Sequence, residues 1–465
     1  MNPSEAFDLV VIGGGPAGLA GAREALQMGA RVALIERVRL GGRSLAAGGA
    51  PSKSLIRTGR LYEDMRNAEN YGARSPDETV PDFARAMARM RAIVARLARY
   101  DSPEQLRLGG IDLTFGDAHF LDRETIAVDQ RRLAFGKALL ATGARPTVPN
   151  IGGLKEAGFL TIDALFQREE GPRRLAFLGA GPRGCELAQA LRRLGVEVYL
   201  VHNEPMFWPH AERDAATLLG ESLRRDGVRF HLNTEVRGVA RLGHARRLEL
   251  DTAGHRFTID VDEIVLALGA QPNIEGLDAH LAHVDYDQRG VSVDEYCRTT
   301  NKNVFAAGDL CSTKKYANAA EAMARLAIRN ALGASAERQN ARLIPQCAYT
   351  DPEVAHIGLE VREAFQLGIG VDTFTVLMQD VDRAICDGED EGFVKIHLKH
   401  GSDEILGATI VARHAGEMLQ GISLAMTQGV GLRALAATAQ PYPTQAGAIK
   451  MAADAFCRSR LAKLS

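Results

Sequence analysis

The chain has 465 residues, too many for one hydrophobic core, so about three domains are expected. Its 46% hydrophobic and 25% charged content is that of an ordinary globular protein, and a net charge of −2 from 56 basic and 58 acidic residues argues against a nucleic-acid or membrane surface. No apolar run reaches spanning length and no basic-then-apolar leader opens the chain, so neither a membrane span nor a signal peptide is expected, and a cytoplasmic location is.

The first predicted element is a buried strand over Leu9 to Ile12. It runs into Gly13-x-Gly15-x-x-Gly18, a helix to Met28, and a second strand, Val32 to Ile35, that ends on Glu36, eighteen positions after Gly18. Each part serves a dinucleotide: glycines for the tight turn and for backbone approach to a pyrophosphate, the helix N-terminus for its charge, the carboxylate for a ribose hydroxyl. A lone glycine motif would be weak; strand, helix, strand and acid in register make it specific.

Next comes a glycine-rich segment, Leu40 to Lys53, with few polar residues, which suggests that it packs against something. From Phe83 to Tyr100 apolar residues recur at helical spacing, and the arginines between them read as a solvated face. Short strand-and-turn segments follow, ending in ATGARP at 141–146.

The pattern then repeats. Leu175 to His202 again shows strand, Gly179-x-Gly181-x-x-Gly184, helix and strand, so two nucleotide sites are expected. The segment Ile264 to Asn273 echoes ATGARP and closes the second unit. Thr300 to Asp309 reads as a strand ending in an acid, followed by a helix from about Ala319 to Ala331. Past Leu343, strands and helices without nucleotide signatures predict a separate α+β domain. The six cysteines form no CxxC or zinc spacing and read as buried apolar side chains, and no metal site is expected.

Together GGGPAG at 13–18, PSK at 51–53, ATGARP at 141–146, GAGPRGCELAQ at 179–189, AAGD at 306–309, TDPE at 350–353, DRA at 382–384 and PYPT at 441–444 resemble the pyridine nucleotide–disulfide oxidoreductase family over nearly the whole chain, most closely its mercuric reductase branch. The resemblance implies an α/β fold with two Rossmann-like domains, for FAD and NAD(P), and a C-terminal α+β dimerisation domain. The implied boundaries are 1–149 and 271–340 for the FAD domain, 150–270 for the NAD(P) domain and 341–465 for the domain that makes a homodimer. It implies Lys53 beside flavin N5, paired with Glu186, where a cation stabilises the negative charge of reduced flavin. It further implies cofactor contacts by Gly13, Gly15, Pro16, Ala17, Gly18, Glu36, Arg37, Gly42, Arg43, Ser44, Lys53, Ala118, Ala141, Thr142 and Gly143. The same is implied for Gly179, Gly181, Gly184, His202, Gly269, Gly308, Asp309 and Ala320, with Asp309 on the ribityl or pyrophosphate portion.

The chain departs from the family where the working disulfide belongs. The frame GGxCxxxxCxPSK reads GGRSLAAGGAPSK, with Ser44 and Gly49 in the cysteine positions. Neither forms a thiolate or a disulfide. Tyr442 takes the place of the usual C-terminal histidine, Gly447 that of its glutamate, and the tail, RLAKLS, carries no cysteine pair. At the ribose-reading position His202 is neither the acid of an NAD site nor the arginine of an NADP site, and Arg183 replaces a usually aliphatic residue.

The expectation is therefore an enzyme passing electrons from flavin, reduced by NADH or NADPH, directly to a small non-disulfide acceptor: a quinone, a dye-like molecule or oxygen. Lys53, Glu186, Ser44, Gly49 and Tyr442, the last from the partner subunit, are its expected catalytic-site residues. The alternatives are a pyridine nucleotide transhydrogenase and a flavin-binding interaction subunit without hydride transfer. Thiol chemistry rerouted through Cys311 is the weakest option, because that cysteine has no resolving partner.

Overall fold

The computed structural model describes residues 5–74 and 80–462; the extreme N-terminus and the last three residues of the tail lie outside them. The first unit is a seven-stranded sheet in which Asp112–Phe115, Val32–Glu36, Glu5–Ile12 and Arg131–Leu140 are parallel neighbours. Both of its faces are covered. Leu9 and Val11 pack into one apolar cluster and Val10 and Ile12 into another, which explains why the strand reads as an unbroken apolar run. The strand Val304–Ala306, which comes only after the whole second unit, joins the same sheet parallel to Arg131–Leu140. The helix Ala317–Leu332 that follows packs on the first helix, Pro16–Gln27.

Between these visits the chain builds a second parallel sheet, in the order Arg229–His231, Glu197–Val201, Arg174–Leu178, Glu263–Leu266, with an antiparallel three-stranded meander beside it. The two echoing segments zip together: Ala144–Pro146 pairs antiparallel with Ala270–Pro272, so the paths out of and back into the first unit run side by side. The third unit is a five-stranded antiparallel sheet, Gln346–Ala348 to Ile405–Ala412, carrying the helices Ala415–Thr427 and Gly447–Leu461 on its apolar side.

Local chemistry explains the predicted helices. Asp82 caps Phe83–Ala98 by accepting from the Arg85 amide, and Ala86, Met87 and Met90 are the face it buries. That helix ends at Ala98, shorter than the spacing suggested, and passes into a 3-10 turn. The helix Gly49–Arg66 lies against Pro182–Arg193 at Gly59, where an added Cβ would stand 3.3 Å from Ala190 backbone. This contact joins the first two units directly behind the site. Among the described residues no helix is long and apolar enough to cross a membrane.

One expectation is corrected here. Cys185 and Cys297 are buried, Cys311, Cys347 and Cys457 are half-buried, and Cys386 is exposed, because it sits on the short surface helix Asp382–Asp387. All six thiols are free.

Candidate active site

A cavity of about 1260 Å³ runs between all three units. At one end stands the first glycine turn. Gly13 has φ +110°, and a Cβ on Gly18 would lie 1.7 Å from the Gly13 carbonyl oxygen, so only glycine allows strand and helix to approach this closely. Gly15 has nothing nearer to an added Cβ than Gly42 Cα at 3.8 Å, leaving its backbone open to a ligand. The Glu36 carboxylate accepts from the amides of Gly14 (2.6 Å), Val38 (2.8 Å) and Arg39 (3.2 Å), which fix it at the cavity wall. Gly42 packs against Gly15, and this sets the neighbouring Arg43 beside the glycine turn. Burial, then the nearby Arg183 charge, lowers the Arg43 pKa.

Farther along lies the pair expected from the motifs. Lys53 Nζ donates to Glu186 Oε2 at 2.9 Å, and the Glu186 side chain is only 3% exposed. Its other oxygen accepts from the Tyr349 amide at 2.9 Å, and Lys53 Nζ lies 4.3 Å from the centroid of the Tyr349 ring. Burial pushes the Tyr349 phenol up to about 12. Opposite, Ser44 lies on the short helix Gly42–Ala47 and Gly49 begins the long one; a Cβ built on Gly49 would stand 3.6 Å from Ser44 Oγ. Asp309 lines the same cavity, and its carbonyl accepts from Lys315 Nζ at 3.0 Å.

Of the expected residues the cavity gathers Gly13, Gly15, Pro16, Ala17, Glu36, Arg37, Gly42, Arg43, Ser44, Gly49, Lys53, Ala118, Ala141, Thr142, Gly143, Glu186, Gly308, Asp309 and Ala320. Gly18 stays behind the wall. Gly179, Gly181, Gly184, Gly269 and His202 lie outside the lining, where Pro182, Arg183 and Leu187 represent the second glycine motif. His202 holds its backbone to His231 and Thr234 while its Nδ1 is buried without a partner, and burial lowers its pKa, favouring a neutral ring at pH 7. Tyr442 is 82% exposed and donates to Asp382 at 2.7 Å, outside this chain's own cavity. Cys311 is held near the Gly308 carbonyl, and burial raises its pKa to about 12. The sequence did not single out Lys315, Tyr316, Cys347, Tyr349 or Leu419, which also line the cavity. Only Tyr349, directly before TDPE, stood next to a quoted motif.

The residues fit FAD: an open glycine backbone at a helix N-terminus, a held carboxylate eighteen residues past Gly18, and a long cavity that passes the partly buried Lys53–Glu186 ion pair. A glycine turn of this kind at one end of a cleft, with the helix that follows a second such motif lining the same cleft, is the layout of a flavin- and pyridine-nucleotide-dependent oxidoreductase. The chain belongs to the pyridine nucleotide-disulphide oxidoreductase family, which matches residues 7–325, with the family's dimerisation domain over 344–453. Members of this family are FAD-dependent enzymes that use pyridine nucleotides. The chain is 32% identical over 467 residues to a mercuric reductase of Shigella flexneri, spanning 97% of this chain and 81% of that one. It is 29% identical over 466 residues to a mercuric reductase of Staphylococcus aureus, spanning 100% of this chain and 85% of that one. The solved structure of LpdA from Mycobacterium tuberculosis matches with a TM-score of 0.88 at 25% identity, covering 96% of this chain and 99% of that one.

Proposed function

We propose that the chain is an FAD-dependent NAD(P)H oxidoreductase that delivers electrons from flavin directly to a non-disulfide acceptor: a quinone, a dye-like molecule or oxygen. The observation that carries this reading is the pair Ser44 and Gly49 on the cavity wall, in the positions where the family frame has cysteines, with Ser44 Oγ 3.6 Å from where a Cβ on Gly49 would stand. A hydroxyl and a hydrogen offer no two-electron couple. Cys347 is the one cysteine among the cavity-lining residues, and burial keeps it protonated. On this reading the chain is not a working mercuric, lipoamide or glutathione reductase.

FAD, when bound, supplies the redox couple. The chain's own residues bind and orient. Lys53, fixed by Glu186 and the Tyr349 ring, presents a cation that favours negative charge in the cavity. Ser44 offers a hydroxyl to a substrate oxygen, and the missing side chain at Gly49 leaves room for a flat acceptor. In a homodimer built through residues 344–453, the exposed Tyr442 would line the partner's pocket.

Anaerobic addition of NADH and then NADPH to the purified flavoprotein tests the proposal. Bleaching of the flavin band by either, followed by re-oxidation by quinone or oxygen, is expected. Bleaching by neither would leave only the flavin-binding subunit. Re-oxidation by the other nicotinamide nucleotide alone would make the protein a transhydrogenase.

A further inference from the structure

The charges on the cavity wall do not balance locally. Lys53 is paired with Glu186, Arg37 with Asp117, and Glu275 with Arg145, while the Glu36 carboxylate is taken up by backbone amides. Arg43 lies beside the first glycine turn, where the phosphates of a dinucleotide belong. Of the remaining cations on the wall, Arg39 is exposed to solvent and Lys315 donates to the Asp309 carbonyl, which leaves Arg183. Its one hydrogen bond goes to the Lys315 carbonyl at 3.4 Å, and among the described residues no carboxylate lies within ion-pair distance of it.

Its position makes this costly. Arg183 follows Pro182 in the first turn of the helix Pro182–Arg193, where the aligned peptide dipoles disfavour a cation, and no acid in that turn offsets it. Yet the side chain is not turned out to solvent. Three residues before Glu186 on the same helix, it shares the face that holds Lys53, and it crosses from the second unit to Lys315, next to Asp309's bonded carbonyl in the first. The backbone of its own glycine turn, with nothing within 4 Å of a Cβ on Gly181, is free to take a dinucleotide without it.

We propose that Arg183 is the specificity residue for an anionic electron acceptor, one whose flat redox-active ring carries a carboxylate, sulfonate or phosphate. The inference rests on the direct-transfer reading above and narrows its substrate class. A guanidinium in a partly enclosed cavity, with most of its donors free, binds such a group through paired charge-assisted hydrogen bonds. A nicotinamide dinucleotide carries phosphates too, so the test separates the two sources.

The probes are 1,4-naphthoquinone-2-sulfonate and uncharged 1,4-naphthoquinone, used with wild-type, Arg183→Met and Arg183→Lys holoenzyme. The kcat/KM ratio of sulfonate over neutral quinone is expected to fall roughly tenfold to a hundredfold in Arg183→Met and to recover in part in Arg183→Lys. A constant ratio, with the NAD(P)H concentration for half-bleaching raised instead, would assign the arginine to the dinucleotide and overturn the proposal. Binding to the oxidised holoenzyme, read from the shift of the flavin band, needs no turnover: sulfonate binding weakened selectively by Arg183→Met supports the inference, and equal effects on both quinones contradict it. A wild-type flavin that NAD(P)H bleaches and no quinone re-oxidises would instead sink the direct-transfer reading, a result visible without any variant.

Discussion

The two glycine turns of this chain are built alike and equipped differently. Gly13 and Gly179 take nearly the same strained backbone, with φ +110° and +105°, and Gly18 and Gly184 both back onto the first glycine's carbonyl. Fit at the first turn is tighter, with 1.7 Å for an added Cβ against 2.6 Å at the second. The residues around them diverge. The first unit ends its second strand on a carboxylate clamped by three amides; the second follows its strand with His202, whose buried Nδ1 has no partner and whose pKa burial lowers. The first helix opens Pro16-Ala17, the second Pro182-Arg183. On the proposed reading, backbone sterics fix where a dinucleotide lies, while the charges around the turn decide what else the cleft accepts.

The sharpest way to break this comparison is to add one methyl group to each turn. Gly18→Ala should yield protein without flavin, read as the loss of 450 nm absorbance, because the clash is with backbone and cannot relax; the cost is of the exceptional kind, about 4 kcal/mol or more. Gly184→Ala should keep its flavin and raise the NAD(P)H needed for bleaching at least roughly tenfold. Flavin lost from both variants alike would erase the division between the two sites.

The Lys53–Glu186 ion pair between the units comes next. Glu186→Gln keeps an acceptor for the Tyr349 amide but leaves Lys53 without its counter-charge. Breaking a fully buried pair costs about 3–5 kcal/mol; with Lys53 35% exposed, about 2 kcal/mol is expected, measurable by denaturant melts of the holoenzyme. No loss at all would mean that the pair is only a surface contact.

The Ser44–Gly49 geometry permits a third test. Changing both to cysteine should let a disulfide close without backbone movement, lowering the titratable thiol count on oxidation and adding about 2 kcal/mol from the short loop. Two thiols that stay reduced under oxidant would show that the backbone here has moved away from the family's frame.

The smallest effect concerns the third unit. Burial, with Glu212 and Glu363 close by, raises Glu360 to a pKa of about 7 from an ordinary 4.5. The folded state therefore binds the extra proton, so the group's contribution to stability is full below about pH 4.5 and is lost as pH rises through 7. Glu360→Gln, which preserves the helix cap, should gain about 1 kcal/mol at pH 8 and nothing at pH 4.5 by urea melts.

Much of the site was legible because its parts are local. A glycine turn, the acid at the end of the next strand and the Lys53 motif are short patterns whose chemistry demands those residues. The wall supplied by Tyr349 and Leu419 was not, since these residues reach the cavity only when the third unit closes on the first two, and no period or spacing announces it. Tyr442 shows the same limit from the other side: its motif was readable, but a single chain leaves it exposed. Cys386 was misjudged because composition does not tell which face of a short helix meets solvent.

The central claim is that electrons leave the flavin without a sulfur relay. An anaerobic dithionite titration of the holoenzyme tests it most directly. The account predicts full bleaching of the flavin band with about one two-electron equivalent per FAD and no long-wavelength thiolate–flavin band along the way. Uptake of about two equivalents, with such a band appearing after the first, would reveal a working thiol pair and contradict it.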